Sequence, residues 1–504
     1  MGVSRDQSSE QKWAQIQLCA ILCMLYAPFN EVLNLNARRE SSMTSRSMVV
    51  PSAVGLLTVS AAMWALADSG DFNFPYIQLD HPAIQYDAQT TDDPIARLQR
   101  QLDKGETTLE YDPNRLGYLP SLLKHLGVDV DSQMLVFSKS SFQGPKISPR
   151  APRALYFNDN VAVGSVQNGE VIELTSIDPE LGVIFYTLDV AKSEKPSFTR
   201  GDSACISCHL LPGTLNVPGL LTTSVIPSRD GSLRFPGQGL IVDGRTPVDQ
   251  RWGGWYVTGT SEFQHHGNAV ASNPDQPSVL DLRGNRNLVN LTGRFDTSAY
   301  LTSTSDIVAL MVLEHQTRMT NLITRLGWET RVALKDGKLE ESRPRLEALI
   351  DQMTTYMLFA DEASIGQGIV GVSTFTESFP KRGPRDRKGR SLRDFDLHKR
   401  FFRYPLSYMI YSEAFDGMPG IAKDWVYQRL YDVLSGKDSS QKFMRLSAED
   451  RASVLDILRD TKSSLPRYWK TAPDGKTASE SAQSDEASLH FARTQPRTAK
   501  APQP

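Results

Sequence analysis

Short apolar runs of β character fill the chain between about residues 134 and 190. "MLVFSKSSF", "RALYFND", "VAVGSV", "VIELTSID" and "GVIFYTLD" are rich in β-branched and aromatic residues. Turn-forming residues separate them, which predicts an antiparallel sheet. "QNGE" at 167–170 supplies an Asn-Gly pair for a tight hairpin between two of these runs. Over 68–133 the pattern is mostly helical instead. "DDPIARLQRQLDKGE" has an N-cap followed by apolar residues at helical spacing, and "LPSLLKHLGVD" reads as a short helix ended by Gly127.

Beyond the sheet the period changes again. A Pro/Gly-rich loop region follows it, then "RWGGWYVTGTSEFQHHGNA" at 251–269. The strongest helical pattern is "SDIVALMVLEHQTRMTNLITRL" at 305–326, with Ser305 and Asp306 at its start. Further helices are predicted over 342–363, 403–416, 421–436 and 447–463. The basic stretch "FPKRGPRDRKGRS" at 379–391 reads as a surface loop, and the Ser/Ala/Pro-rich tail 471–504 as disordered. The expected fold class is α+β: a β-rich region at about 134–300 followed by a mainly α-helical region at 301–470. No internal repeat is present.

Composition changes this picture little. The chain has 504 residues, is 40% apolar and 22% charged, and carries a formal net charge of −3. That length predicts two or more domains. Without a basic stripe interleaved with aromatics, nucleic acid is not an expected partner. Only four cysteines occur, Cys19, Cys23, Cys205 and Cys208, too few for a disulfide-stapled architecture.

Compartment enters through "MTSRSMVVPSAVGLLTVSAAMWALADSG", which begins at Met43. Arg46 supplies a basic start, an uncharged run extends from Ser47 to Ala67, and Ala65-Leu66-Ala67 is a small-x-small cleavage site. This is the layout of a secretory signal peptide over 43–67. Residues 1–42 are then an upstream extension, with Met43 or Met48 as the true start; Arg38-Arg39 fits a twin-arginine signal poorly. An uncleaved signal would leave the protein membrane-anchored. A cleaved one would leave a periplasmic or otherwise exported chain whose only cysteines are Cys205 and Cys208.

Those two cysteines lie in "CISCH", residues 205–209. Two thiols separated by two residues span the two vinyl groups of a porphyrin edge, and a histidine directly after the second falls beneath the iron. Export strengthens that reading. Three alternatives remain open. One is a zinc site of Cys205 and Cys208 with two histidines such as His265 and His266, another is a dithiol or disulfide redox pair, and the last is chance.

"CISCH", together with "ISPRAPRALYFNDNV", "FYTLD", "RWGGWYVTGT" and "SDIVALMVLEHQ", resembles a family of large, poorly characterised exported bacterial proteins carrying one c-type haem. The resemblance runs from about 115 to 470. It implies one covalent haem c, thioethers at Cys205 and Cys208, and His209 as proximal iron ligand. The methionine-ligand pattern of small cytochromes is not evident after the motif.

Eight histidines are available: His81, His125, His209, His265, His266, His315, His398 and His490. His265 and His266, in a glycine-flanked loop, are the expected source of a second axial ligand. His315, on a stripe with Met311 and Met319, reads as core with ligation as the alternative, and Met418 is a further candidate. Trp252, Trp255 and Tyr256 could cover a haem face or fill core. Arg150, Arg153 and Arg251 are candidates for propionate pairing. The expected function is electron transfer with an unknown redox partner protein. A haem enzyme, with His315 and Arg318 as acid/base groups, and a ligand sensor with an open iron are the alternatives.

Overall fold

The computed structural model describes residues 74–470, apart from 115, 202, 234–238 and 274–275. The expected upstream extension, signal peptide and disordered tail lie outside the described residues.

The centre of the fold is a seven-stranded sheet. Its strands are β1 (Met134–Val136), β2 (Arg153–Phe157), β3 (Val161–Ser165), β4 (Val171–Asp178), β5 (Gly182–Asp189), β6 (Phe198–Arg200) and β7 (Trp255–Tyr256). They run antiparallel in the order β6-β5-β4-β3-β2-β1-β7. The turns are built from the expected chemistry. At the "QNGE" hairpin, Asn168 takes φ +56°. At β2–β3, the Asn158 carboxamide oxygen accepts the Asn160 and Val161 N–H groups. At β4–β5, Asp178 accepts from Glu180 and Leu181.

Both sheet faces are covered, which is why β5 reads as a nearly continuous buried run rather than an alternation. On one face Tyr156, Val163, Leu174, Ile184 and Tyr186 pack against α1 (Pro94–Asp103) and α2 (Leu119–His125) through Ile95, Leu98, Leu119 and Leu122. Asp93 caps α1 by accepting the Ile95 and Ala96 N–H groups. The rest of 74–133 is mostly turns, so helix is scarcer there than the pattern predicts. On the other face Met134, Val136, Phe157 and Ile177 meet the helical half.

That half is organised on α4 (Ile307–Lys335), which is 29 residues long and extends nine beyond the expected end at 326. Asp306 caps it through Val308 and Ala309, while its second oxygen accepts the Val372 and Ser373 N–H groups. From Ile307 to Thr330 the helix is buried on every side. Around it lie α5 (Leu339–Met357), α6 (Gly420–Leu434) and α7 (Ala448–Thr461), close to the expected positions. The helix expected over 403–416 is instead a 3-10 turn, Tyr408–Tyr411, and one short turn of helix, Glu413–Gly417. Pro405 and the capping hydroxyls of Ser407 and Ser412 break the run. The stretch between the sheet and α4 holds only strands of two to five residues, so the β-rich region thins after 200. The chain is α+β, a sheet-centred N-terminal half and a mostly helical C-terminal half.

Sheet and central helix meet tightly at Gly182. It has φ +79°, and a Cβ there would lie 2.4 Å from Thr324 on α4. Gly182→Ala should therefore cost about 2–4 kcal/mol, combining left-handed strain with overpacking. Urea denaturation should show a lowered midpoint with an unchanged slope.

Candidate functional site

The C-x-x-C-H motif is helical. Residues Ser203–His209 form α3, a seven-residue helix directly after β6. The loop expected at this position is a correction with a physical cause, because β6 and Gly201 anchor the helix start. Arg200 donates to the carbonyls of Gln89 and Tyr86, and Gly201 N–H donates to Phe185 O at 2.7 Å. A Cβ at Gly201 would lie 2.7 Å from Cys205 Sγ and 2.9 Å from Phe185 Cβ. Glycine there lets the first cysteine rest on β5. Cys205 is half-buried and Cys208 exposed, and neither is in a disulfide. Three residues apart on a helix, they share one face.

His209 ends the helix, its ring against Phe185 with centroids 4.7 Å apart. Its Nδ1 lies 2.9 Å from Gly219 O. A carbonyl oxygen only accepts, so Nδ1 carries the hydrogen and Nε2 carries the lone pair. Burial holds the imidazole below its ordinary pKa, the Gly219 bond works against that, and the nearby Arg153 and Glu173 charges oppose each other. The ring is neutral at pH 7, the state that a metal requires.

The acceptor at Gly219 is itself held by α4. Asn321 Oδ1 accepts the Leu220 N–H at 3.1 Å, and its Nδ2 donates to Leu220 O at 2.8 Å. A Cβ at Gly219 would fall 2.4 Å from Asn321 Oδ1, so this approach needs glycine. The loop between is pinned by Thr214, which donates to Val217 O at 2.7 Å, and by Arg325, which donates to Leu215 O at 3.3 Å and Pro75 O at 2.8 Å. A chain of contacts thus runs from the buried helix through Leu220 and Gly219 to the His209 ring.

Arg153 and Glu173, on β2 and β4, form a 2.7 Å ion pair on the same sheet face as Phe185. Glu173 also accepts from Ser141 and Gln143. Arg153 Nε is buried without a partner among the described residues.

The chain matches no protein-family model, no curated protein and no solved structure.

The other expected site residues have different neighbours. His265 is 2% exposed, edge-on to Trp252 at 5.2 Å, with Nδ1 unpartnered. Burial pushes it down to about 4, with Arg286 and His266 adding to the effect. His266 is half-buried, and its backbone N–H donates to Arg251 O. None of these contacts involves the Cys205–His209 turn. Among the described residues, no group of three or more His, Cys, Asp or Glu side chains converges to hold a metal ion, so the zinc arrangement is not assembled. Arg251 is committed to Glu314 at 2.8 Å and to the carbonyls of Thr246 and Gly244, and Arg150 is exposed. Trp252, Trp255 and Tyr256 are buried; Trp255 Nε1 donates to Thr223 O, and the Tyr256 hydroxyl to Pro149 O. Met418 packs near Gly327. His315 is in the core, bonded to Ser407.

Phe185, Gly201, Gly219 and Asn321 escape sequence reasoning. Asn321 alone leaves a trace, as a carboxamide inside a strongly apolar helical pattern, where a buried polar group demands a partner.

Asn321→Leu should strand both backbone groups of Leu220, costing about 1–3 kcal/mol. Hydrogen exchange should accelerate at Leu220 and through 210–222 while the sheet amides stay protected. A second expectation concerns pH. His265 has a folded pKa below its unfolded one. Its contribution is therefore fully present above about 6.5 and lost as pH falls toward about 4. The stability difference between wild type and His265→Phe should shift by up to about 3 kcal/mol across that window, read from urea midpoints at a series of pH values.

Proposed function

We propose that this protein is an exported monohaem c-type cytochrome acting in electron transfer, with one haem c bound covalently through Cys205 and Cys208 and His209 as proximal iron ligand. The observation that carries this reading is the hydrogen bond from His209 Nδ1 to Gly219 O. It fixes the tautomer, orients the ring and leaves Nε2 as the coordinating atom, which is how a metal-ligating histidine is held.

The residues present fit the group. Cys205 and Cys208 lie on one helical face with Sγ atoms outside any disulfide, and Arg153 brings a buried, unpartnered Nε suited to a propionate carboxylate. Haem, when bound, supplies one-electron chemistry. The chain's own contribution is to hold the His209 ring neutral and rigid, and to keep the Cys208 edge at the surface, where an unidentified redox partner protein can approach. Periplasmic localisation belongs to this reading through the signal-like run 43–67. Among the described residues no helix is long and apolar enough to cross a membrane; an uncleaved signal would be the membrane anchor.

One observation favours a second reading. A C-x-x-C on a helix is also the arrangement of dithiol redox motifs. That reading leaves the His209–Gly219 bond without a role.

Protein from a host able to attach haem c should gain the mass of one haem, which acid-acetone does not extract. The Cys205→Ala/Cys208→Ala double variant should fold and carry none. A mature mass lacking haem but two hydrogens lighter would support the dithiol instead. The low-spin or high-spin character of the oxidised spectrum then separates electron transfer from an open, enzyme-like or sensing iron.

A further inference from the structure

A small cavity lies between α4 and the segments packed on it, remote in sequence from α3. Gly244, Arg251, Met311, His315, Glu362 and Phe401 line it, and it leaves about 10 Å³ for the centre of a water-sized molecule. That is room for one water.

Its polar lining is specific. His315 is 1% exposed and stacked between Tyr356 and Phe359, with ring centroids 5.2 and 4.7 Å away. Its Nε2 lies 2.7 Å from Ser407 Oγ. That hydroxyl oxygen accepts the Met409 N–H at 3.2 Å, and its own hydrogen has no other acceptor among the described residues, so it goes to Nε2. The neutral ring then carries its hydrogen on Nδ1. Nδ1 has no partner among the described residues. The Glu362 carboxyl borders the same space, with one oxygen accepting the Phe401 N–H at 3.2 Å. Beside them Arg251 is spent on Glu314, Thr246 O and Gly244 O. A buried donor, a carboxyl and a one-water gap share one chamber.

We propose that this chamber is a second site, holding a single water that accepts from His315 Nδ1–H and donates to the Glu362 carboxylate, and that Glu362 is thereby an internal proton-exchange group. The site does not depend on the haem reading.

The surroundings decide which group exchanges. Burial pushes His315 down to about 3, against a small opposing pull from Asp243, so the ring stays neutral and only donates. Burial pushes Glu362 up to about 7, while the Phe401 N–H, Arg445, Arg251 and Arg400 pull it down. Of the other charges at the chamber, Asp243 is chelated by Arg245 and 4.0 Å from Arg318. Glu314 is paired with Arg251 yet also raised to about 7, and burial raises Asp361 as well. Glu362 is half-buried while His315 is 1% exposed, so its proton has a way out that His315 lacks.

The test combines a crystal structure of the full chain with an infrared pH titration of wild type, Glu362→Gln, Glu314→Gln and His315→Phe. Expected are one water within hydrogen-bond reach of His315 Nδ1, and a carboxylic C=O band titrating near pH 7. Glu362→Gln should remove that band, or the Glu362 part of it, and Glu314→Gln should keep that part. His315→Phe should expel the water and raise the Glu362 midpoint by about one pH unit, because the carboxylate loses its donor. A dry chamber in wild type overturns the proposal, even if a variant fails to fold. So does a band that Glu362→Gln leaves untouched.

Discussion

A helix buried on all sides cannot carry polar residues unless other parts of the chain satisfy them. α4 is such a helix, and between Ile307 and Thr330 it holds Glu314, His315, Gln316, Arg318, Asn321, Arg325 and Glu329. Leaving any one unpaired would cost a large share of the few kilocalories by which a fold is stable. Their partners come from across the sequence. Arg251 meets Glu314, and Asn158 O and the Tyr408 hydroxyl meet Gln316. Pro75 O and Leu215 O meet Arg325, and Arg345 meets Glu329. The N-terminal turns, the loop after α3, the sheet and the C-terminal helices are thus each fastened to the same element. Their placement follows from what α4 requires.

The motif at 205–209 inherits its rigidity from this arrangement. Seven residues are too few for a stable isolated helix, and α3 buries none of its residues completely. It is held from outside, by Gly201 on Phe185 at its start and by Gly219 on His209 at its end. Both contacts depend on a missing Cβ. The glycines do not merely permit turns; they let a small helix touch a strand and a loop at backbone distance.

The short runs of β-branched and aromatic residues made the sheet legible, because composition and an Asn-Gly turn are local signals. α4 was legible as a helix but not in its full length. Past 326 the pattern weakens while Arg325, Glu329 and Arg331 continue through ion pairs and hydrogen bonds to distant segments. The stretch from 210 to 300 carries only short strands, of two to five residues. It is held by side-chain bonds to backbone, such as Asn268 on Val257 and Asn285 O and Asn285 on His265 O, which have no period. The motif's three chemical residues could be named from spacing alone. Asn321 could not be tied to it, because 101 residues separate it from Leu220.

His315 and Asn321 stand six residues apart on α4, about 9 Å along its axis. One faces Ser407 and the small chamber, the other Leu220 and the His209 loop. They share no partner. A helix with this many polar side chains tied to separate segments shifts as a unit, since moving one pair strains the next. The two sites are therefore separable by substitution, which removes one set of bonds, but not by motion, which disturbs both. A proton gained or lost in the chamber would reach the His209 loop only by displacing α4 itself, and the packing of Gly182 on Thr324 holds that helix against the sheet.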